Sequence, residues 1–269
     1  LKALALDLDG TLMTTDKRLS KRNLDAIIHA QEQGVLLIIA SGRPTYGIAP
    51  IADCLRLKDF GGYVLAFNGG QIINWKTKEI IFQQNLDPAL LPRLQRWAHH
   101  FDLPLMSYRG NIIITEKPTD AYILRNAKTN SMPVEGVEDL TEELNLLPTP
   151  PTKCLMTGDP EQLAQAEAEM KTDLGDEMEI YRSTPYYLEL VPKGIDKGRA
   201  LGFILKRHHL SREDLIACGD SDNDMAMIEY AGMGVAMANA EAPLLAAADY
   251  ITASNDEDGV AQVIERFLL

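Results

Sequence analysis

The chain has 269 residues, 46% of them apolar, enough for one large domain or two modest ones with a sizeable core. Its formal net charge of −13 argues against nucleic acid or an anionic membrane as the main partner, because both reward Lys and Arg; it suits a protein that recruits cations. The longest purely aliphatic stretch, "VLLIIA" at 35–40, is far short of a membrane span, and the chain opens on Leu with no basic-then-apolar leader, so no membrane partner is expected.

In chain order, "KALALDL" reads as a buried strand ending at Asp7. "SKRNLDAIIHAQEQG" reads as a helix, with Ser20 as cap, Leu24, Ile27 and Ile28 on one face, and Gly34 as its stop. "VLLIIA" is a strand buried on both faces, followed by "SGRP"; "YVLAF" is a third, followed by "NGG". This alternation of strand and helix predicts a parallel sheet covered by helices.

From about residue 72 the rhythm changes. "QIINW" and "EIIFQ" flank "KTK" as a hairpin, and "DPALLPRLQRWAHHF" reads as a helix capped by Asp87. "PLMSY", "NIIIT", "CLMTG", "MEIYRS" and "YYLELVP" read as strands, and "PEQLAQAEAEMKTDLG" as a helix. Near residue 190 the first rhythm returns, with the helix "DKGRALGFILKRHH", the strand "DLIACGD" and the helices "DNDMAMIEYAG" and "DGVAQVIERFLL". The expected fold class is α/β: a Rossmann-like parallel-sheet core domain (1–84 and 189–269) with an inserted α+β cap domain (85–188).

In open parallel sheets, ligands bind at the carboxyl ends of the strands. At those ends this chain places Asp7 and Asp9, then Ser41, Gly42 and Arg43, then Asn68 and Gly69, then "GDSDND" with Asp220, Asp222, Asn223 and Asp224; a helix start adds Lys197. Carboxylates brought so close repel one another strongly, which calls for a divalent cation. Every candidate ligand is an oxygen, favouring Mg²⁺ over zinc. Such an ion, together with Lys197, Ser41 and exposed backbone N–H groups, attracts phosphate. Taken singly, each motif has a plainer reading: a solvated loop for "DLD", a turn for "SGRP", an exposed helix lysine for Lys197, a helix cap for "GDSDND".

Taken together and in order, they resemble the haloacid dehalogenase superfamily of phosphohydrolases, and within it the Cof-type branch with a class IIB cap. The resemblance rests on "DLDGT", on Ser41 in "ASGRP", on Lys197 in "KGIDKG", on "GDSDND" and on "FNGG" at 67–70, with the insertion between the second and third motifs. One departure is Asp196, where Ser is more usual before the Lys. The resemblance implies that Asp7 attacks phosphorus to become an aspartyl phosphate. It makes Asp9 the general acid toward the leaving group and then the base for water. Mg²⁺ is then bound by Asp7, Asp9 (through its backbone carbonyl) and Asp220, and the phosphate by Leu8, Ser41, Gly42, Lys197 and Asn223. Thr11 and Asp224 support the site, and Arg43, Asn68 and Arg182 are candidate substrate contacts, with pairing to an acid the equal alternative for Arg43.

The implied partner is a small phosphorylated metabolite: a sugar phosphate first, then a flavin-pathway intermediate or pyridoxal phosphate. Transfer of the phosphoryl group to a second acceptor, as in a mutase, remains open at this level, as does a non-catalytic phosphate-binding role. Tyr108, Arg109, Tyr181 and Arg182 are placed at cap loop tips, facing the leaving group or serving as ordinary strand residues. No motif bears on oligomeric state. The five histidines fall on predicted helices outside the motifs, which argues against a histidine metal site. Cys54, Cys154 and Cys218 form no metal-type pair, and a reduced cytoplasmic setting is expected. Cys218 lies in an apolar strand and reads as core packing.

Overall fold

The computed structural model describes residues 2–269. The described residues fold into two compact units, one of residues 2–82 and 196–269, the other of residues 83–195.

The first unit begins with β1 (Ala3–Leu6), α1 (Lys21–Glu32), β2 (Leu36–Ala40), α2 (Thr45–Cys54), α3 (Leu57–Phe60), β3 (Tyr63–Ala66), β4 (Gln71–Asn74) and β5 (Glu79–Gln83). The second unit contributes α4 (Leu91–His100), β6 (Leu105–Arg109), β7 (Ile112–Thr115), α5 (Ala121–Asn130), β8 (Val134–Gly136), α6 (Leu140–Asn145), β9 (Cys154–Thr157), α7 (Pro160–Leu174), β10 (Met178–Thr184) and β11 (Tyr187–Pro192). The chain then returns with α8 (Lys197–Arg207), β12 (Leu215–Gly219), α9 (Met225–Tyr230), β13 (Met233–Ala236), α10 (Ala242–Ala247), β14 (Tyr250–Ile251) and α11 (Gly259–Phe267).

In the first unit the sheet order is β14-β13-β12-β1-β2-β3-β4-β5. The pairs from β14 to β3 are parallel, and β4 runs antiparallel to β3. β1 and β12 are buried at every position, and β2 at all but its first, as strands covered on both faces must be. Truncating Ile38, which is fully buried, to Ala would cost about 2–5 kcal/mol. The register pairs Leu6 with both Cys218 and Ile39, and Ala40 with Leu65. Neighbouring strands therefore end level, and the residues that follow them, from Asp7, Ser41, Phe67 and Asp220 onward, emerge along one edge. α1 starts where expected, with the Ser20 hydroxyl accepting from the Asn23 amide (3.1 Å).

The second unit is a six-stranded sheet of order β10-β11-β9-β6-β7-β8, antiparallel except for β7 with β8. Alternation along its strands feeds two cores. Leu105, Ile114 and Cys154 pack with Leu94, Leu144 and Leu163 of α4, α6 and α7; Met106, Ile113 and Leu155 pack with Ile123 and Ala127 of α5. The unit ends at Ile195 rather than at residue 188, because β11 continues to Pro192, paired there with Met178 of β10.

Candidate active site

The turn after β1 carries both carboxylates of the opening motif. Asp7 is buried, and its backbone N–H donates to the Cys218 carbonyl (3.1 Å), which fixes it beside the end of β12. Gly10 has φ +86°, and a Cβ there would stand 2.3 Å from Asp220 Oδ2, so only glycine lets the turn pass the third acid. Thr11, fully buried, donates its hydroxyl to Asp220 Oδ1 (2.7 Å).

Lys197 opens α8, whose N-cap Asp196 accepts from the Arg199 amide (2.7 Å), so the Asp at that position caps as a Ser would. The Lys197 side chain is fully buried, and its Nζ donates to Asp7 Oδ1 (2.6 Å) and Asp224 Oδ1 (2.5 Å). Burial alone would lower its pKa; the carboxylates of Asp224 and Asp7 outweigh that and raise it. Asp224 is enclosed on its other side as well, with Oδ2 accepting from the amides of Asp220 (3.0 Å) and Ser221 (3.2 Å).

Oxygens of Asp7, Asp220 and Asp224 lie within 4.8 Å of one another. Burial, and then the nearby Asp224 carboxylate, push Asp7 well above the usual carboxylate range despite Lys197. Burial and Asp224 also raise Asp220 to about 6, against the hydrogen bond from Thr11. One ammonium among three such carboxylates leaves negative charge in excess. With oxygen donors only, the set fits a hard divalent cation.

Asp9 faces a different environment. Arg43 grips it with two bonds, Nε to Oδ2 and Nη2 to Oδ1, each 2.6 Å, and Lys17 Nζ donates to Oδ1 (2.7 Å). Burial works to raise its pKa, but Arg43 and then Lys17 outweigh it and hold Asp9 at about 2. Arg43, between the two readings left open for it, thus pairs with an acid in this structure.

Ser41 is buried, and its hydroxyl accepts from the Arg43 amide (3.2 Å). Asn68, also buried, accepts from Asn223 Nδ2 (3.0 Å) and donates its backbone N–H to the Ser41 carbonyl (2.9 Å). Leu8, Gly42 and Asn223 lie on these same turns. Burial pushes the Cys218 thiol up to about 12, in keeping with a packing role.

Of the two readings for the cap residues, the structure gives the strand one: Tyr108 and Arg109 lie on β6, Tyr181 and Arg182 on β10. Arg182 Nε is bound to Glu167 of α7 (2.7 Å), Arg109 pairs with Glu135 and Glu143, and burial raises the Tyr108 phenol to about 12. Two contacts escaped the sequence. Lys17 reaches Asp9 from a turn residue with φ +59°, and no periodicity marks such a residue. Asn239, whose Nδ2 donates to the Gly10 carbonyl (2.8 Å), stands just past β13, the same carboxyl edge that exposed the other motifs.

The model of the haloacid dehalogenase-like hydrolases matches residues 4–264. The chain belongs to that family. A haloacid dehalogenase-like hydrolase from Bacteroides thetaiotaomicron is 46% identical, with a TM-score of 0.93 over 98% of both chains. The subclass IIB sugar phosphatase BT4131 shares the fold, with a TM-score of 0.84 at 23% identity over the full length of both. A 5-amino-6-(5-phospho-D-ribitylamino)uracil phosphatase of Bacillus subtilis is 28% identical over 100% of this chain and 98% of its own. Pyridoxal phosphate phosphatase of Escherichia coli is 28% identical over 100% of this chain and 99% of its own. The chain is thus a phosphatase of the haloacid dehalogenase family, and it shares its fold with a subclass IIB member. No helix among the described residues is long and apolar enough to cross a membrane.

Proposed function

We propose that this enzyme is a Mg²⁺-dependent phosphomonoester hydrolase of small phosphorylated metabolites, sugar phosphates first, working through an aspartyl phosphate on Asp7. The observation that carries the reading is the buried Lys197 ammonium bonded to both Asp7 and Asp224 within a three-carboxylate cluster, with a second, separately held acid, Asp9, two residues on.

Asp7, Asp220 and the Asp9 carbonyl would hold the Mg²⁺, which when bound supplies positive charge against the nucleophile and the phosphate. Lys197 takes Asp7 Oδ1 and so keeps the attacking carboxylate oriented. The Asp7 carboxylate forms a bond to phosphorus as the ester P–O bond breaks. Leu8, Ser41, Gly42, Lys197 and Asn223 bind the phosphate oxygens, and positioning with charge neutralisation carries most of the acceleration. The leaving oxygen takes its proton from Asp9, which must first loosen from Arg43 and Lys17 and become protonated. Afterwards Asp9, ionised again as the two cations favour, accepts a proton from the water that attacks the aspartyl phosphate. Free phosphate leaves and Asp7 is restored. A cytoplasmic location suits the three free thiols.

The test is phosphate release from a panel of sugar phosphates, flavin-pathway phosphates, pyridoxal phosphate and p-nitrophenyl phosphate, with Mg²⁺ or EDTA, beside Asp7→Asn. Mg²⁺-dependent turnover lost in Asp7→Asn supports the reading, and the best ester names the leaving group. Folded protein that binds Mg²⁺ yet releases phosphate from none of them removes hydrolysis as the function, in favour of transfer or binding.

A further inference from the structure

Three successive residues after β3 take left-handed backbone angles: Phe67 (φ 53°), Asn68 (φ 57°) and Gly69 (φ 95°). For L-residues each such angle costs roughly 1–2 kcal/mol, and a bulky Phe is an unusual occupant. Strain of this kind persists only where surrounding contacts enforce it. Here the contacts reach three of the four motifs.

The Phe67 amide donates to the Arg43 carbonyl (3.0 Å) and the Asn68 amide to the Ser41 carbonyl (2.9 Å), so the turn is bonded on both sides of residue 42. A Cβ on Gly42 would stand 3.1 Å from Asn68 Oδ1 and 3.3 Å from its Nδ2. A Cβ on Gly69 would stand 2.8 Å from both the Ala200 Cβ and the Asp196 carbonyl, so the turn lies against the start of α8, which Lys197 opens. Asn68 Oδ1 accepts from Asn223 Nδ2 (3.0 Å), while Asn223 Oδ1 accepts from the Ser221 hydroxyl (2.7 Å). These two bonds fix which way the Asn223 amide faces and leave its second N–H as the donor for a ligand oxygen.

We propose that the turn Phe67–Gly69 positions the phosphate-binding groups, with Asn68 setting the amide orientation of Asn223 and Gly69 setting the close approach of the Lys197 helix. The inference rests on the phosphatase reading above. Asn68 then acts as a positioning residue: the energy held in the left-handed turn keeps its side chain aimed at Asn223 before substrate arrives.

The Asn68→Gly variant separates backbone from side chain, because glycine accepts φ 57° without strain and loses only the amide. Binding of inorganic phosphate in the presence of Mg²⁺ is measured by calorimetry for wild type, Asn68→Gly, Asn223→Ala and the double variant, with Mg²⁺ affinity and Tm for each. We expect Asn68→Gly to bind phosphate about tenfold more weakly, the scale of one hydrogen bond to an ion. Its Mg²⁺ affinity stays at the wild-type value, its Tm is no lower, and the double variant is no weaker than Asn223→Ala alone. Phosphate binding by Asn68→Gly equal to wild type, or a loss that adds in full to that of Asn223→Ala, overturns the inference while leaving the hydrolase reading in place. A wild-type protein that binds Mg²⁺ but no phosphate overturns both.

Discussion

Each unit of this protein buries a lysine against carboxylate, and the two arrangements differ in their balance of charge. In the second unit Lys153 Nζ lies 2.8 Å from Glu189 Oε2, with both side chains under 10% exposed. Glu189 Oε1 also accepts from the Ser183 hydroxyl (2.7 Å). Burial would lower the Lys153 pKa, but Glu189 and then Tyr108 outweigh it and raise it. One cation meets one anion, and the set is closed. In the first unit Lys197 meets Asp7 and Asp224, with Asp220 alongside, and burial together with the unbalanced charge raises Asp7 and Asp220. A buried lysine is therefore not by itself a sign of chemistry. The surplus of carboxylate is the sign, because it defines a place for a cation from solution.

Making the same substitution at both lysines breaks the comparison most directly. Lys153→Met leaves Glu189 buried without its partner and should destabilise the protein by about 3–5 kcal/mol, read by denaturant titration. Lys153→Met with Glu189→Leu should recover most of that loss, since a closed pair is replaceable by apolar side chains of similar volume. Lys197→Met should instead appear in catalysis, lowering turnover by about 10²–10³-fold as a lost donor to a reacting phosphate does. Its partners Asp7 and Asp224 cannot be matched by one compensating apolar change, because Asp7 is the attacking group in the proposed reaction. Turnover rescued by such a pairing would count against that role.

Proton linkage sharpens the contrast at smaller scale. In the metal-free protein Asp220 holds its proton to about pH 6, whereas in the unfolded chain it releases it near 3.8. Across that window the folded state binds more protons, so stability falls as pH rises through it. The cost is complete above pH 6 and absent below 3.8. Taking the protein in EDTA from pH 7 to pH 5 should therefore gain about 1–2 kcal/mol from this partly exposed group. Saturating Mg²⁺ should reverse the slope, because protons then compete with the ion for the same oxygens. Asp9, held at about 2, loses its stabilising contribution only as pH falls toward 2, well outside that range. The closed Lys153–Glu189 pair should give no Mg²⁺-dependent slope.

The first unit was the more legible in the sequence, for a physical reason. A strand buried on both faces must be an unbroken apolar run, so "LALDL", "VLLIIA" and "DLIACG" announce themselves, and parallel pairing then brings their ends level. The motif residues could be placed together by that logic alone. The second unit offers fewer such constraints. α5 has little signature in the sequence, although Asp120 caps it through the amides of Tyr122 and Ile123, because its face toward the sheet is carried chiefly by Ile123 and Ala127. β8 is three residues long, too short to show alternation. Of the two readings for Arg182, a leaving-group contact or an ordinary strand residue, alternation along β10 favours the second: it lies on the side of Ile180, within reach of Glu167 on α7. Lys17 and Asn239 are joined to the site by turn geometry, which leaves no period to read.

The smallest effect compares two hydroxyls that make the same bond in the two settings. Thr11 Oγ1 donates to Asp220 and Ser183 Oγ to Glu189, each at 2.7 Å. Removing either donor should cost about 1 kcal/mol of stability, the usual net worth of one such hydrogen bond. The consequences then diverge. Thr11→Val keeps the shape of the fully buried side chain but takes away the contact that lowers the pKa of Asp220, so its carboxyl holds its proton to a higher pH. Mg²⁺ competes with that proton, and calorimetry at pH 7 should show Mg²⁺ affinity reduced several-fold, with the difference shrinking as pH rises and the carboxyl ionises in both proteins. Ser183→Ala should leave Mg²⁺ affinity at the wild-type value, because Glu189 is paired with Lys153 and is no member of the three-carboxylate cluster. Equal Mg²⁺ affinity in Thr11→Val and wild type would mean that Asp220 is not a ligand, and the excess of carboxylate would then need another cation to answer it.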